Sequence, residues 1–434
     1  MDKSAPVAIL GGGAFGLSTA LHFVEAGYTN ITVFERDERI PSRYSAAADL
    51  NKIVRAEYED IFYTDLVLEA LEGWKTPLFG PYYHQTGYIV ATSGQAPQKA
   101  VNSLEKALVS VSKHPRLKSG IQPLNTAEDF KDYAWQFSGP LSGFKGYFNR
   151  VAGYAHSGNT LRAVHLYCAS RGVRFLLGEK AGNVVSLRYA PSGRCSGITT
   201  ADGVEHSASV TLCALGAFGA SLIPSLGKFA VARCWSVAHV QLTEEECDLL
   251  RGLPVTNVRD LGFFFEPDPA TRLFKLCPLG AGYTNTLSGT SLPPTNPTEG
   301  PLNDFIPLED EQKLRKLLRE TLPWMADRPF VDRKLCWFSD TVDSEYCIDF
   351  VPGSQKSLVV LSGDSGHGFK MMPTFGKWVL NLVNNGTQEL QRWQWKNPEG
   401  QGSNWGDAVS WRVGAAKELS ELAAESNKIL KARL

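Results

Sequence analysis

Two glycine-rich turns at opposite ends of the chain carry most of the residues able to do chemistry. The later one, residues 361–370, reads LSGDSGHGFK and follows the apolar run SLVVL at 357–361. It sets Gly363, Gly366 and Gly368 among Asp364, His367, Phe369 and Lys370. Glycines lower the steric barrier to a bound group, and a lysine offers a point charge to an anion. The earlier turn, Gly11-Gly12-Gly13-Ala14-Phe15-Gly16, follows the apolar stretch PVAIL at 6–10 and opens a run with helical spacing at 17–25. A second apolar stretch at 31–34 ends in Glu35, about 20 residues on.

Each part of the earlier turn has a physical purpose. Gly11 permits a tight turn, Gly13 brings backbone to a pyrophosphate without a Cβ, and Gly16 lets helix and strand pack closely. The helix start over Ala14 and Phe15 points free N–H groups at a diphosphate, and Glu35 accepts hydrogen bonds from a ribose. Strand, turn, helix, strand and acid in register predict a dinucleotide site. FAD and NAD both fit it. Arg36 either stacks near an adenine or is a solvated surface charge, and the surface reading is preferred.

These turns need a frame. The 434 residues allow two to three domains at about 150 residues each. Lys+Arg (44) nearly balance Asp+Glu (45), which argues against a nucleic-acid partner. Apolar runs are too short for a membrane span, and MDKSAPVAIL does not read as a secretory signal. Eight cysteines without CxxC spacing fit a reduced compartment, and the histidines form no HExxH-like pair, so no metal is expected. The spacing predicts a strand pair over 82–91, helices over 103–112, 157–170 and 308–321, and strands over 175–177, 184–187, 229–242 and 262–276. The strand at 206–215 runs into Gly216-Ala217-Phe218-Gly219, and 293–307 is a Pro- and Asn-rich surface loop. The tail, 405–434, reads as largely helical and charged. The expectation is a mixed α/β (α+β) chain: a Rossmann-like nucleotide-binding domain interrupted by two insertions rich in antiparallel strands.

Five motifs in order give a more specific reading: GGGAFG (11–16), SAAADLNKIVR (45–55), GFFFEPD followed by FKLC (262–277), CWFSDT (336–341) and GDSGHGFK (363–370). With these the chain, over about residues 5–400, resembles the monomeric sarcosine oxidase and fructosyl-amino-acid oxidase (amadoriase) family, whose fungal branch includes saccharopine and pipecolate oxidases. The resemblance implies a monomer with a glutathione-reductase or D-amino-acid-oxidase type of layout. Its FAD-binding domain is drawn from 1–90, 151–225 and 333–400, its substrate domain from 91–150 and 226–332, and its helical tail from 401–434. It implies FAD attached covalently at its 8α position through Cys336; without it, Cys336 reads as a core cysteine. Ser45, Glu35, Arg36, Asp364, Gly366, His367, Gly368, Phe369 and Lys370 join Gly11, Gly13, Ala14, Phe15 and Gly16 as cofactor-binding positions. Lys275 matches the lysine that faces flavin N5 and stabilises charge developing on O₂. Alternation puts Lys275 on the face opposite Phe274 and Leu276, without saying whether that face meets water.

Arg55 and Lys370 look like the pair that grips a substrate carboxylate, with Lys52 a second basic position in the same loop. The sugar-amine branch lacks an arginine at the place of Arg55 and carries an Asp-Glu pair after the lysine strand, where this chain has Pro278-Leu279-Gly280. The reading therefore favours a free secondary-amine amino acid over a fructosyl amino acid. The implied reaction passes a hydride to flavin N5, gives an imine, and reduces O₂ to H₂O₂. Cations at the site lower the amine pKa. No dedicated base is evident; His367 either bonds backbone or transfers a proton, and Tyr58 and Tyr283 are candidate pocket residues. A flavin dehydrogenase with a protein acceptor, a non-enzymatic nucleotide-binding redox sensor and an NAD dehydrogenase are the rivals. The final Ala432-Arg433-Leu434 resembles a peroxisomal address read by an import receptor. A peroxide producer suits that compartment; the alternatives are the cytoplasm and a frayed helix end.

Overall fold

The computed structural model describes residues 1–295, 304–397 and 412–422. Val7–Leu10, an unbroken buried apolar strand, pairs in parallel with Ile31–Glu35 on one side and Val210–Cys213 on the other. Arg174–Leu177 and Leu358–Ser362 extend this sheet in parallel, and Cys347–Phe350 closes one edge antiparallel. Parallel strands buried on both faces need helices above and below. Ala14–Glu25 packs against Phe375–Asn385 and Ser157–Ser170 to supply part of that cover.

The long intervals between those strands build a second, ten-stranded sheet. Its centre is the strand Ala230–Gln241, flanked antiparallel by Leu273–Pro278 and Val331–Thr341. Val255–Val258 joins Tyr88–Thr92 in parallel, and Lys145–Asn149 follows antiparallel. The helix Leu308–Thr321 lays Leu314, Leu317 and Leu318 into a buried cluster with Phe274 and Leu276. That is the usual three-four spacing of an amphipathic helix. The architecture is the expected mixed α/β fold.

Several local expectations change. Residues 82–91 are not one strand pair: Tyr83–His84 pairs with Gly153–Ala155, whereas Tyr88–Thr92 enters the large sheet. Gly87, at φ +84°, turns the chain between them. Val331–Thr341 belongs to the large sheet, so its membership cuts across the boundary read at 333, as that of Tyr88–Thr92 does at 90. In the tail, most of which lies outside the described residues, Lys417–Glu418 forms a strand beside Tyr283–Thr284 and 419–422 are helical. Most of the proline-rich loop and the final tripeptide lie outside the described residues. Among the described residues no helix is long and apolar enough to cross a membrane.

The tail is anchored by charge. Arg412, fully buried, reaches Asp340 and donates to Ser344 Oγ at 2.8 Å. Arg233, also buried, meets the other oxygen of Asp340 at 3.2 Å. One carboxylate thus neutralises two guanidiniums taken out of water. Asp340→Asn leaves both uncompensated and is expected to cost about 3 kcal/mol. The urea midpoint should fall accordingly; an unchanged midpoint would mean that the pair of arginines finds another counter-charge.

Candidate active site

The two sheets enclose a cavity of about 330 Å³. Both glycine turns reach it: Gly11, Gly13, Ala14 and Phe15 from one, residues 364–370 from the other, with Glu35, Arg36, Ser45, Lys52, Arg55, Lys275 and Cys336 between. Of the positions read as catalytic or cofactor-binding, Gly16 stands behind the wall. A Cβ on Gly16 would lie 1.9 Å from Gly11 O, so it closes helix on strand. Gly11 itself has φ +102° and leaves only 2.6 Å between an added Cβ and Ala214 O.

The helix Ala14–Glu25 begins at Gly13 with no side-chain cap and no acid in its first turn. Its first N–H groups are left to an anion. Glu35 accepts from Gly12 N (2.9 Å), Asp37 N (3.1 Å) and Ser42 Oγ (2.8 Å), so it also shapes the loop that follows. Arg36 is not a solvated charge. Its guanidinium lies between the rings of Tyr44 (3.5 Å) and Phe218 (4.0 Å), and its buried Nη2 has no hydrogen-bond partner. Aromatic clamping had no signal in sequence because Phe218 is far along the chain.

In the later turn the Asp364 carboxylate accepts from Gly366 N and Ser339 N, both at 3.1 Å, and burial raises its pKa to about 6. A Cβ on Gly366 would meet the Trp235 ring at 2.3 Å. His367 Nε2 donates to Ser344 O at 2.9 Å, which leaves Nδ1 to accept from Tyr58 OH (2.9 Å) and Tyr346 OH (3.1 Å). Burial first, then Lys370, pulls its pKa down to about 3, so it stays neutral. Of its two readings, backbone bonding is the one the geometry bears out. Lys370 Nζ donates to Tyr58 OH (3.1 Å) and His367 O (3.0 Å). Burial, then Arg55, holds this ammonium well below the usual lysine range.

Arg55 donates to Glu57 O and lies 5.1 Å from the Tyr58 ring. Tyr58 lines the cavity as expected; Tyr283 does not, and bonds Glu309 instead at 2.8 Å. Lys275 faces the cavity, its neighbours Phe274 and Leu276 lying in the core on the other side of the strand. Its Nζ meets Asp49 Oδ2 at 2.5 Å and Asn51 O at 2.7 Å. Lys52 approaches the same oxygen at 2.9 Å, and Lys334 the other at 3.6 Å. Lys52 Nζ is also 3.5 Å from Cys336 Sγ. Asp49 was missed in the sequence reading. The available signal was one acid embedded among basic positions in SAAADLNKIVR.

The uncapped helix start, the bare Gly13 facing Ser45 and the orphaned Arg36 Nη2 all fit a dinucleotide cofactor. Comparison with known proteins names it. Residues 6–382 match the family of FAD dependent oxidoreductases, and the chain belongs to that family. Within it the chain is an amine oxidase. It is 31% identical to L-saccharopine oxidase of Schizosaccharomyces pombe, across 91% of this chain and 94% of that one. It is 28% identical to an amino acid oxidase of Aspergillus flavus, across 92% and 99%. Among solved structures it is similar to the deglycating fructosamine oxidase (Amadoriase II) of Aspergillus fumigatus, at 32% identity, a TM-score of 0.87 and 97% coverage of both chains.

Burial alone would raise the Asp49 pKa, but Lys275, Lys52 and Lys334 together outweigh it and hold the carboxyl well below its ordinary value. A depressed folded pKa means stability that is present above the unfolded value of about 3.9 and lost as pH falls through the folded one. Asp49→Asn should therefore cost about 3 kcal/mol at pH 7. It should also flatten the loss of thermal stability that wild type shows on acidification below about pH 4. Parallel acid profiles for the two proteins would contradict this.

Proposed function

We propose that the chain oxidises the secondary amine of a free amino acid, of the sarcosine, pipecolate or saccharopine type, to an imine with release of H₂O₂. The observation that carries the reading is the presence of Arg55, Lys370 and Lys275 in one cavity with both glycine turns. When bound, FAD supplies the two-electron acceptor and returns the electrons to O₂. Arg55 presents a planar fork and Lys370 a point charge, the pairing suited to a carboxylate. An arriving carboxylate restores the ammonium of Lys370 against the burial that depresses it. The clamp also lowers the pKa of the substrate amine by like-charge repulsion, which favours the unprotonated form. His367, its Nε2–H committed to Ser344 O, takes no proton in this scheme and holds Tyr58 in place. Lys275, anchored by Asp49, is a fixed cation for charge that develops on O₂.

The same reading makes Cys336 the covalent tether, supported by its place on the cavity wall beside Lys52. It makes the enzyme a monomer of the peroxisome, with Ala432-Arg433-Leu434 as its address for the import receptor. A second reading, oxidation of fructosyl amino acids, draws on the likeness to fructosamine oxidase. Leu279, which lines the cavity at a position where that branch carries its acidic pair, weighs against it.

A peroxide-coupled screen of N-alkyl, cyclic and fructosyl amino acids separates these readings. Arg55→Ala should lose roughly 100-fold in kcat/KM on the best substrate. Unchanged kinetics would remove the carboxylate clamp from the mechanism. Acid-precipitated wild type should stay yellow, whereas Cys336→Ala should release its flavin to the supernatant.

A further inference from the structure

Beside the clamp the cavity wall carries polar groups that the clamp does not use. Val255–Val258 runs next to Tyr88–Thr92, which runs next to Lys145–Asn149. Asn257 pairs with Val90 and Val90 with Tyr147, so Asn257 and Tyr147 leave the same face of the sheet. Arg259 lies two residues beyond Asn257, its N–H donating to Ala91 O at 2.8 Å. Asn257 and Arg259 both line the cavity, and Tyr147 is fully buried.

Each of the three has a buried polar atom without a hydrogen-bond partner: Asn257 Oδ1, Arg259 Nε and Tyr147 OH. Native interiors leave few such atoms, and three together on one face call for a ligand. Arg259 makes no ion pair among the described residues. Its Nη1 donates to Ser103 Oγ at 2.7 Å, which in turn donates to Glu59 at 3.0 Å, so the helix Gln98–Lys113 fixes its direction. An oriented guanidinium with a free Nε–H, beside a carboxamide that offers N–H on a half-turn, suits a carboxylate. Arg55 is close by, 6.0 Å from the ring of Tyr88 on the neighbouring strand.

We propose that the substrate is a secondary amine with two carboxylates, one held by Arg55 and Lys370 and the other by Arg259 and Asn257. The first half rests on the amine-oxidase reading above; the second rests on the unpaired groups of the wall. A monocarboxylate leaves the Arg259 Nε–H unpaired, whereas a dicarboxylate satisfies both arginines.

The test uses the holoenzyme and two matched pairs of probes. Unreactive glutarate and butyrate are titrated calorimetrically, and N-methyl-L-glutamate is compared with N-methyl-L-norvaline in the peroxide assay. Glutarate should bind at least about 10-fold more tightly, and the diacid amine should be favoured by roughly 10- to 100-fold in kcat/KM. Arg259→Met should abolish both preferences while leaving the monoacids unchanged. Equal handling of diacid and monoacid by wild type overturns the proposal without needing the variant. So does an equal loss of both in a folded Arg259→Met. Peroxide from neither amine, with the glutarate preference intact and Arg259-dependent, would sink the oxidase reading and uphold the second carboxylate site.

Discussion

A single acid sets the electrostatics of the cavity. Lys275, Lys52 and Lys334 come from three different strands, and all converge on Asp49. Unbalanced, these cations would repel one another in a medium where Coulomb energies are several times those in water. Balanced, they become a rigid positive wall whose ammonium groups need not move when charge appears nearby. Asp49 also ties the loop after Ser45 to the strand Leu273–Pro278, and so stitches together the two sheets that face each other across the site.

The opposite wall works through a hydrogen-bonded and stacked cluster. Lys370, Tyr58, His367 and Ser344 O are joined by hydrogen bonds, with Tyr346 OH as a further donor to His367 Nδ1. Tyr346 stacks on His367 at 4.9 Å and Tyr63 meets it edge-on at 5.3 Å. A side chain so enclosed has one tautomer and one orientation. The direction of the Lys370 side chain is therefore set by packing and hydrogen bonding rather than by a flexible stem, which is how pre-organisation is obtained from a residue with many rotamers.

What was legible in the sequence was what is local. The helices at 157–170 and 308–321 appear with the ends read for them, because their apolar spacing and flanking residues are self-contained. The first glycine turn was legible for the same reason. The face of Lys275 was only half legible: alternation opposed it to Phe274 and Leu276, but which face met the cavity depended on Leu308–Thr321 covering the other. Arg36, Asp49 and the Arg233–Asp340–Arg412 group were not legible. Phe218, Lys275 and Arg412, the partners that complete them, lie tens to hundreds of residues away, and a buried charge looks like a surface charge until its neighbours are known. The place of Val331–Thr341 in the large sheet was not legible either, because pairing is a long-range choice that period alone does not make.

The order of strands in the parallel sheet bears on biosynthesis. Val7–Leu10 is synthesised hundreds of residues ahead of its neighbour-but-one, Leu358–Ser362. The sheet that carries the nucleotide cradle thus keeps one edge open, beyond Val210–Cys213, until Leu358–Ser362 has been translated. Arg412 adds a still later clasp. Both walls of the cavity exist only once the second glycine turn has been made, and premature termination anywhere before it yields a protein with half a binding site.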